Sequence, residues 1–203
     1  MTEFPLFLFT TLGGIAAGAC AVRAVLPLTK ERKQTWLFPL ICIALLGIGL
    51  IGVLFHLARP AMFLNALANP QAGIAQEAYC SIVFGLLLLA DLICDLKRKD
   101  GSPRVLQIIC GAVGLILTFI MGMSYVGNFG VPAWTTWATV AQFVVGDIAF
   151  GTALYLAFDK DALSKVPFRA TFIAVAAVFA IVLVFEGTHF NAVGLDSLLF
   201  WYR

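Results

Sequence analysis

Charge is scarce in this sequence. Only 12% of its 203 residues are Asp, Glu, Lys or Arg, 62% are hydrophobic, and the mean hydropathy is +0.99. A soluble domain is nearer one-quarter charged. One globular core of this size cannot hide such an apolar surplus, so the expected solvent is a bilayer. The net charge of +2 excludes the basic surface that a nucleic acid needs. Histidine is rare, with two, and CxxC, CxxCH, P-loop and GxSxG patterns are absent. The five cysteines (Cys20, Cys42, Cys80, Cys94, Cys110) are odd in number and scattered through apolar runs. That excludes a disulfide framework and an iron–sulfur or zinc ligand set, and leaves small apolar packing residues. A basic leader is missing too. Glu3 stands where one would begin, and the first apolar run continues past Arg23, so it is expected to be a retained span.

What is present is a series of long apolar runs. In hydrocarbon every backbone polar group needs an internal partner, so only helices or a closed barrel can cross. The runs are continuous and do not alternate, which selects helices. The sequence therefore predicts an all-α integral membrane protein of about six spans, at 4–28, 36–57, 74–96, 105–125, 134–158 and 168–185, within one polytopic domain covering 1–203. Gly14 and Gly18 in the first run form a small-xxx-small pattern that lets another helix come close. Between the second and third runs, Pro60 to Leu67 is expected to lie as a short helix on the membrane surface. The residues from Glu186 to Arg203 are expected to form a tail with an interfacial anchor at its end.

Six spans put both termini on one side. Lys30, Arg32, Lys33, Lys97, Arg98, Lys99, Arg104, Lys160, Lys165 and Arg169 then fall together on the opposite side, with Arg23 close by. Arg59 and Arg203 remain on the side of the termini. The positive-inside rule makes the lysine-rich side cytoplasmic and both termini external.

The chemistry-bearing residues gather at the external rim. His56 and Glu77 flank one outward connection, with Arg59 between them. A quinol loses two electrons and two protons on oxidation, so its site needs hydrogen-bond partners and proton acceptors. Histidine suits the acceptor role near neutral pH, and a half-buried glutamate can relay the proton outward. The plainer alternative makes His56 a capping group and Glu77 a partner of its helix N-terminus. Arg59 can orient Glu77 or pair with lipid phosphate. Tyr125, Asn128 and Trp134, at the second outward corner, can supply a hydroxyl, an amide and a stacking face, or simply an aromatic belt with a turn. Asp147 is the deepest charge, suited to a proton path or to a bond with a neighbouring helix, while Asp91 and Asp95 are expected to pair with Lys97, Arg98 or Arg23. Two histidines on one side make a haem improbable, and no metal site is expected.

These residues also carry a resemblance. Glu3-Phe4-Pro5-Leu6, then Phe55-His56-Leu57-Ala58-Arg59-Pro60, Asn65-Ala66-Leu67, Gln76-Glu77-Ala78 and Val131-Pro132-Ala133-Trp134 are similar to the membrane anchor subunits of dimethyl sulfoxide reductases. The resemblance runs through roughly the first 155 residues. It implies a haem-free anchor in a bacterial inner membrane that oxidises menaquinol. Electrons would pass to an iron–sulfur subunit and a molybdopterin catalytic subunit on the outer face. It also implies that His56 and Glu77 bind the quinol. The chain departs from that family in its number of spans, in Met123 where an arginine is usual, in Ala58 where glycine is common, and in Asp147. A small transporter or channel, and a passive anchor without its own quinol site, are the alternative readings.

Overall fold

The computed structural model describes residues 4–28, 35–56, 63–98, 100–127 and 132–193. Among these, every regular element is helical. In order they are α1 (Phe4–Val25), α2 (Leu37–His56), α3 (Phe63–Leu67), α4 (Gly73–Lys97), α5 (Arg104–Val126), α6 (Trp137–Phe158) and α7 (Val166–Val193). Short 3₁₀ turns cover Pro132–Trp134 and Lys160–Ser164. All but α3 are long and apolar enough to cross a membrane, which makes six.

The bundle is built around α1, which packs against α2, α5 and α6. Over half of its most apolar stretch (56%) is buried inside the protein, against 6% for α7. The reason lies in its small residues. A Cβ on Gly18 would collide with the Asp147 carbonyl oxygen of α6, and one on Gly151 would collide with the Ala19 nitrogen of α1. The two backbones therefore approach as closely as glycine permits, and the Gly14–Gly18 pattern finds its partner in α6. Phe9, Phe38, Phe84, Leu88, Leu117 and Met121 fill the core beside this contact.

The helix ends differ from the expected spans in two informative places. Nothing between Phe185 and Val193 stops a helix, since Gly187 is tolerated and proline is absent, so α7 carries Glu186 and His189 inside it. The tail expected from Glu186 onward is thus helical as far as Val193. Trp134 sits in the 3₁₀ turn ahead of α6 and does not open that helix. Thr136 caps it, its hydroxyl accepting the Thr139 N–H at 3.4 Å.

One end of the bundle is closed by charge. Arg23, near the end of α1, donates to Asp91 at 2.5 Å and to Asp95 at 3.1 Å, both on α4, and lies 4.9 Å over the Phe38 ring. Arg104 donates to the carbonyls of Arg23, Ala24 and Val25, satisfying the last turn of α1. Asp95 also accepts the Ser102 N–H at 2.5 Å. That fixes the α4–α5 turn, where Gly101 takes the left-handed conformation (φ +74°). Arg23 is the partner that Asp91 and Asp95 take among those the sequence offered.

Candidate functional site

At the opposite end, α2 and α4 are antiparallel neighbours, so His56 at the close of α2 and Glu77 in the second turn of α4 belong to the same rim. The His56 side chain, Arg59 and Asn128 lie outside the described residues. Glu77 is buried, with 7% of its surface exposed, and the Ser124 hydroxyl of α5 forms a side-chain hydrogen bond with it. The Ile120 carbonyl, 3.1 Å from the same hydroxyl, is the alternative acceptor for its one hydrogen. Gly73, four residues before Glu77 on the same face, makes room for that serine: a Cβ there would meet Ser124 Oγ at 2.7 Å. Sequence reasoning missed Ser124. The connection ahead of Glu77 is tied down as well, because the Tyr79 hydroxyl donates to the Leu67 carbonyl of α3.

Tyr125 belongs to a different neighbourhood. Its ring lies 5.0 Å from Trp134, edge to face, and 5.0 Å from Phe143 on α6. Tyr125 and Trp134 are thus brought together as the sequence suggested. They line a cavity of about 440 Å³ between α1, α5, α6 and α7, and Glu77 is not part of its wall. Half of the residues in the cavity wall are aromatic, with Phe7, Phe143, Phe150, Phe179 and Phe190 joining Tyr125 and Trp134.

Two carboxyls also line that cavity. Asp147, midway along α6, is 7% exposed and packs against Gly14, and its Oδ2 has no hydrogen-bond partner among the described residues. Of the two roles the sequence left open for it, a bond to a neighbouring helix finds no partner for Oδ2 among the described residues, and the side chain meets α1 by a close steric fit against Gly14. Glu186 on α7 is 3% exposed. Its Oε1 accepts the Thr139 hydroxyl at 2.8 Å, while its Oε2 is without a partner among the described residues. Above it, a His189 ring nitrogen lies 3.4 Å from the Pro132 carbonyl, joining α7 to the turn that carries Trp134. The sequence permits a helix past Phe185, but the contact of Glu186 with Thr139 is what shows where that carboxyl stands.

The comparisons with known proteins agree with the resemblance in the sequence. The family model of the DMSO reductase anchor subunit (DmsC) matches residues 1–196. The C subunit of the anaerobic dimethyl sulfoxide reductase of Haemophilus influenzae is 26% identical over 97% of this protein and 74% of its own length. The corresponding C subunit of Escherichia coli K12 is 29% identical over 70% of this protein and 53% of its own length. The anaerobic dimethyl sulfoxide reductase subunit YnfH of the same organism is 26% identical over 89% of this protein and 65% of its own length. The protein thus spans between about half and three-quarters of the length of these curated relatives. No solved structure matches it. With six helices of membrane-spanning length and a family match over nearly all of its residues, this is a multi-pass membrane protein belonging to the DMSO reductase anchor subunit family.

Proposed function

We propose that this protein anchors a molybdoenzyme complex in a bacterial inner membrane and oxidises quinol, menaquinol in the first instance, at the rim that carries Glu77. Its partners are an iron–sulfur subunit, which takes the electrons, and a molybdopterin catalytic subunit, both on the external face. The distribution of loop charges supports an outward orientation for that rim and for both termini. The observation that carries this reading is Glu77 itself. A carboxyl buried at the edge of a membrane span, held by a hydroxyl and facing no cation among the described residues, is costly to keep unless it works.

In the reaction the quinol releases two electrons to the iron–sulfur subunit and two protons to the protein. His56 accepts the two protons in turn and Glu77, held by Ser124, relays each to the outer water before the next is released. Arg59 orients the carboxylate. Asn128 would contact the ring oxygen, while Tyr125 and Trp134, on the far side of α5, line a separate cavity and take no part at this rim. Molybdopterin and iron–sulfur groups would reside on the partner subunits, and no haem is required.

The test is quinol-driven reduction of the terminal acceptor by membranes containing the assembled complex. Glu77→Gln and His56→Ala are each expected to lower that rate at least about a hundredfold, the low end of what one positioned proton acceptor contributes. Unchanged rates in variants that still retain the partner subunits on the membrane would place the quinol elsewhere.

A further inference from the structure

Asp147 and Glu186 have no part in the chemistry at the Glu77 rim, yet both are more than nine-tenths buried and both line the aromatic cavity. Each keeps one oxygen without a partner among the described residues. An unsatisfied buried carboxyl oxygen is expensive, and its usual explanation is a ligand or a function. The cavity, at about 440 Å³, falls within the range of small-molecule sites, and its wall combines flat rings with a few polar groups.

We propose that this cavity is a second binding site for the ring of a quinone–quinol couple, distinct from the Glu77 rim. The ligand's identity rests on the quinol reading above; the cavity and its carboxyls do not. The chemistry favours this class for two reasons. The cavity lies among helices of membrane-spanning length, which suits a lipid-soluble ligand, and seven aromatic side chains offer faces and edges to a flat ring. A carboxyl accepts from a quinol hydroxyl as the anion and donates to a quinone carbonyl as the acid, so the same two groups hold both redox forms. Their placement suits a molecule with oxygen at opposite ends. Thr139, which holds Glu186, and Asp147 are eight residues apart on α6, about 12 Å along its axis. One carboxyl therefore stands near the rim and the other deep.

The native protein supplies the probe, because Trp134 lies in the cavity wall and a quinone quenches indole fluorescence on contact. The protein with Trp36→Phe, Trp137→Phe and Trp201→Phe keeps Trp134 as its one indole. In membranes titrated with 2-methylnaphthoquinone, its emission is expected to fall to a saturating plateau. Asp147→Leu with Glu186→Met, which keep shape and remove hydrogen bonding, should weaken the apparent affinity about tenfold. Thr139→Val, an isosteric change that frees Glu186, should weaken it about threefold and decides the matter if the double variant does not accumulate. Glu77→Gln should leave the quenching within about twofold while slowing turnover, so the two sites fail separately. Quenching that rises linearly with membrane quinone, or that saturates equally in Thr139→Val and the double variant, would overturn the proposal. Saturable quenching with normal turnover in Glu77→Gln would instead overturn the rim reading and keep this one.

Discussion

Buried charge occurs in two regions of this bundle, and the two are built differently. At one end Arg23 meets Asp91 and Asp95, while Arg104 closes the carbonyls of α1. Around the cavity, Asp147 and Glu186 are buried as deeply but meet no cation among the described residues. The first arrangement is complementary and locks α1, α4 and α5 together. The second has no cation and faces an empty volume, whereas the first keeps its charge paired even though Asp91 Oδ1 also lacks a hydrogen-bond partner among the described residues. Depth of burial alone therefore does not separate a structural charge from a working one; the partner does. The same helix, α1, serves both regions: its final turns carry Arg23, and Gly14 gives Asp147 its room.

That contrast predicts unequal costs. Arg23→Ala leaves two buried carboxylates without their cation and should cost roughly 3–5 kcal/mol. It should show as a lower unfolding midpoint in detergent, or as loss of the protein from membranes. If Arg23→Ala is tolerated, the complementary end is not what holds α1 and the contrast fails. Next in size comes the α1–α6 contact. Gly18→Leu drives a side chain into the Asp147 backbone, which cannot rotate away, and should cost about 3 kcal/mol. A stable Gly18→Leu protein would mean the helices can separate without loss. Smaller for stability but larger for turnover is Ser124→Ala. It removes the hydroxyl partner of Glu77 and should cost about 1 kcal/mol in stability with a severalfold slower quinol-driven rate. An unaltered rate would make Ser124 a packing residue.

Much of this architecture was legible beforehand. Hydropathy located the six long helices, the Gly14–Gly18 spacing announced a close helix contact, and Asp91 with Asp95 already had Arg23 among their possible partners. The rim was harder to read. Tyr125 was grouped with Glu77 because their helix ends are near, but angle along a helix decides contact as much as height does. Ser124 and Tyr125 are consecutive, so their side chains leave α5 about 100° apart. One reaches Glu77 on α4 and the other reaches Phe143 on α6. The cavity was not legible, because it needs α7 to run past Phe185 and bring Glu186 to Thr139. A single acidic residue after an apolar run resembles a span boundary. Only the tertiary contact shows that the helix continues through it.

The smallest expected effect is also the sharpest test of the contrast. Asp147→Asn keeps the shape of the side chain against Gly14 and removes the ability to ionise. Because Oδ2 has no partner to lose among the described residues, the folded state should change by less than about 0.5 kcal/mol, in either direction. The isosteric change at the other end, Asp91→Asn, weakens a real ion pair and should cost several times more. Both are read from unfolding midpoints in the same detergent. If Asp147→Asn costs as much as Asp91→Asn, Asp147 is bound to something that stabilises the fold. The unpaired region would then be structural after all.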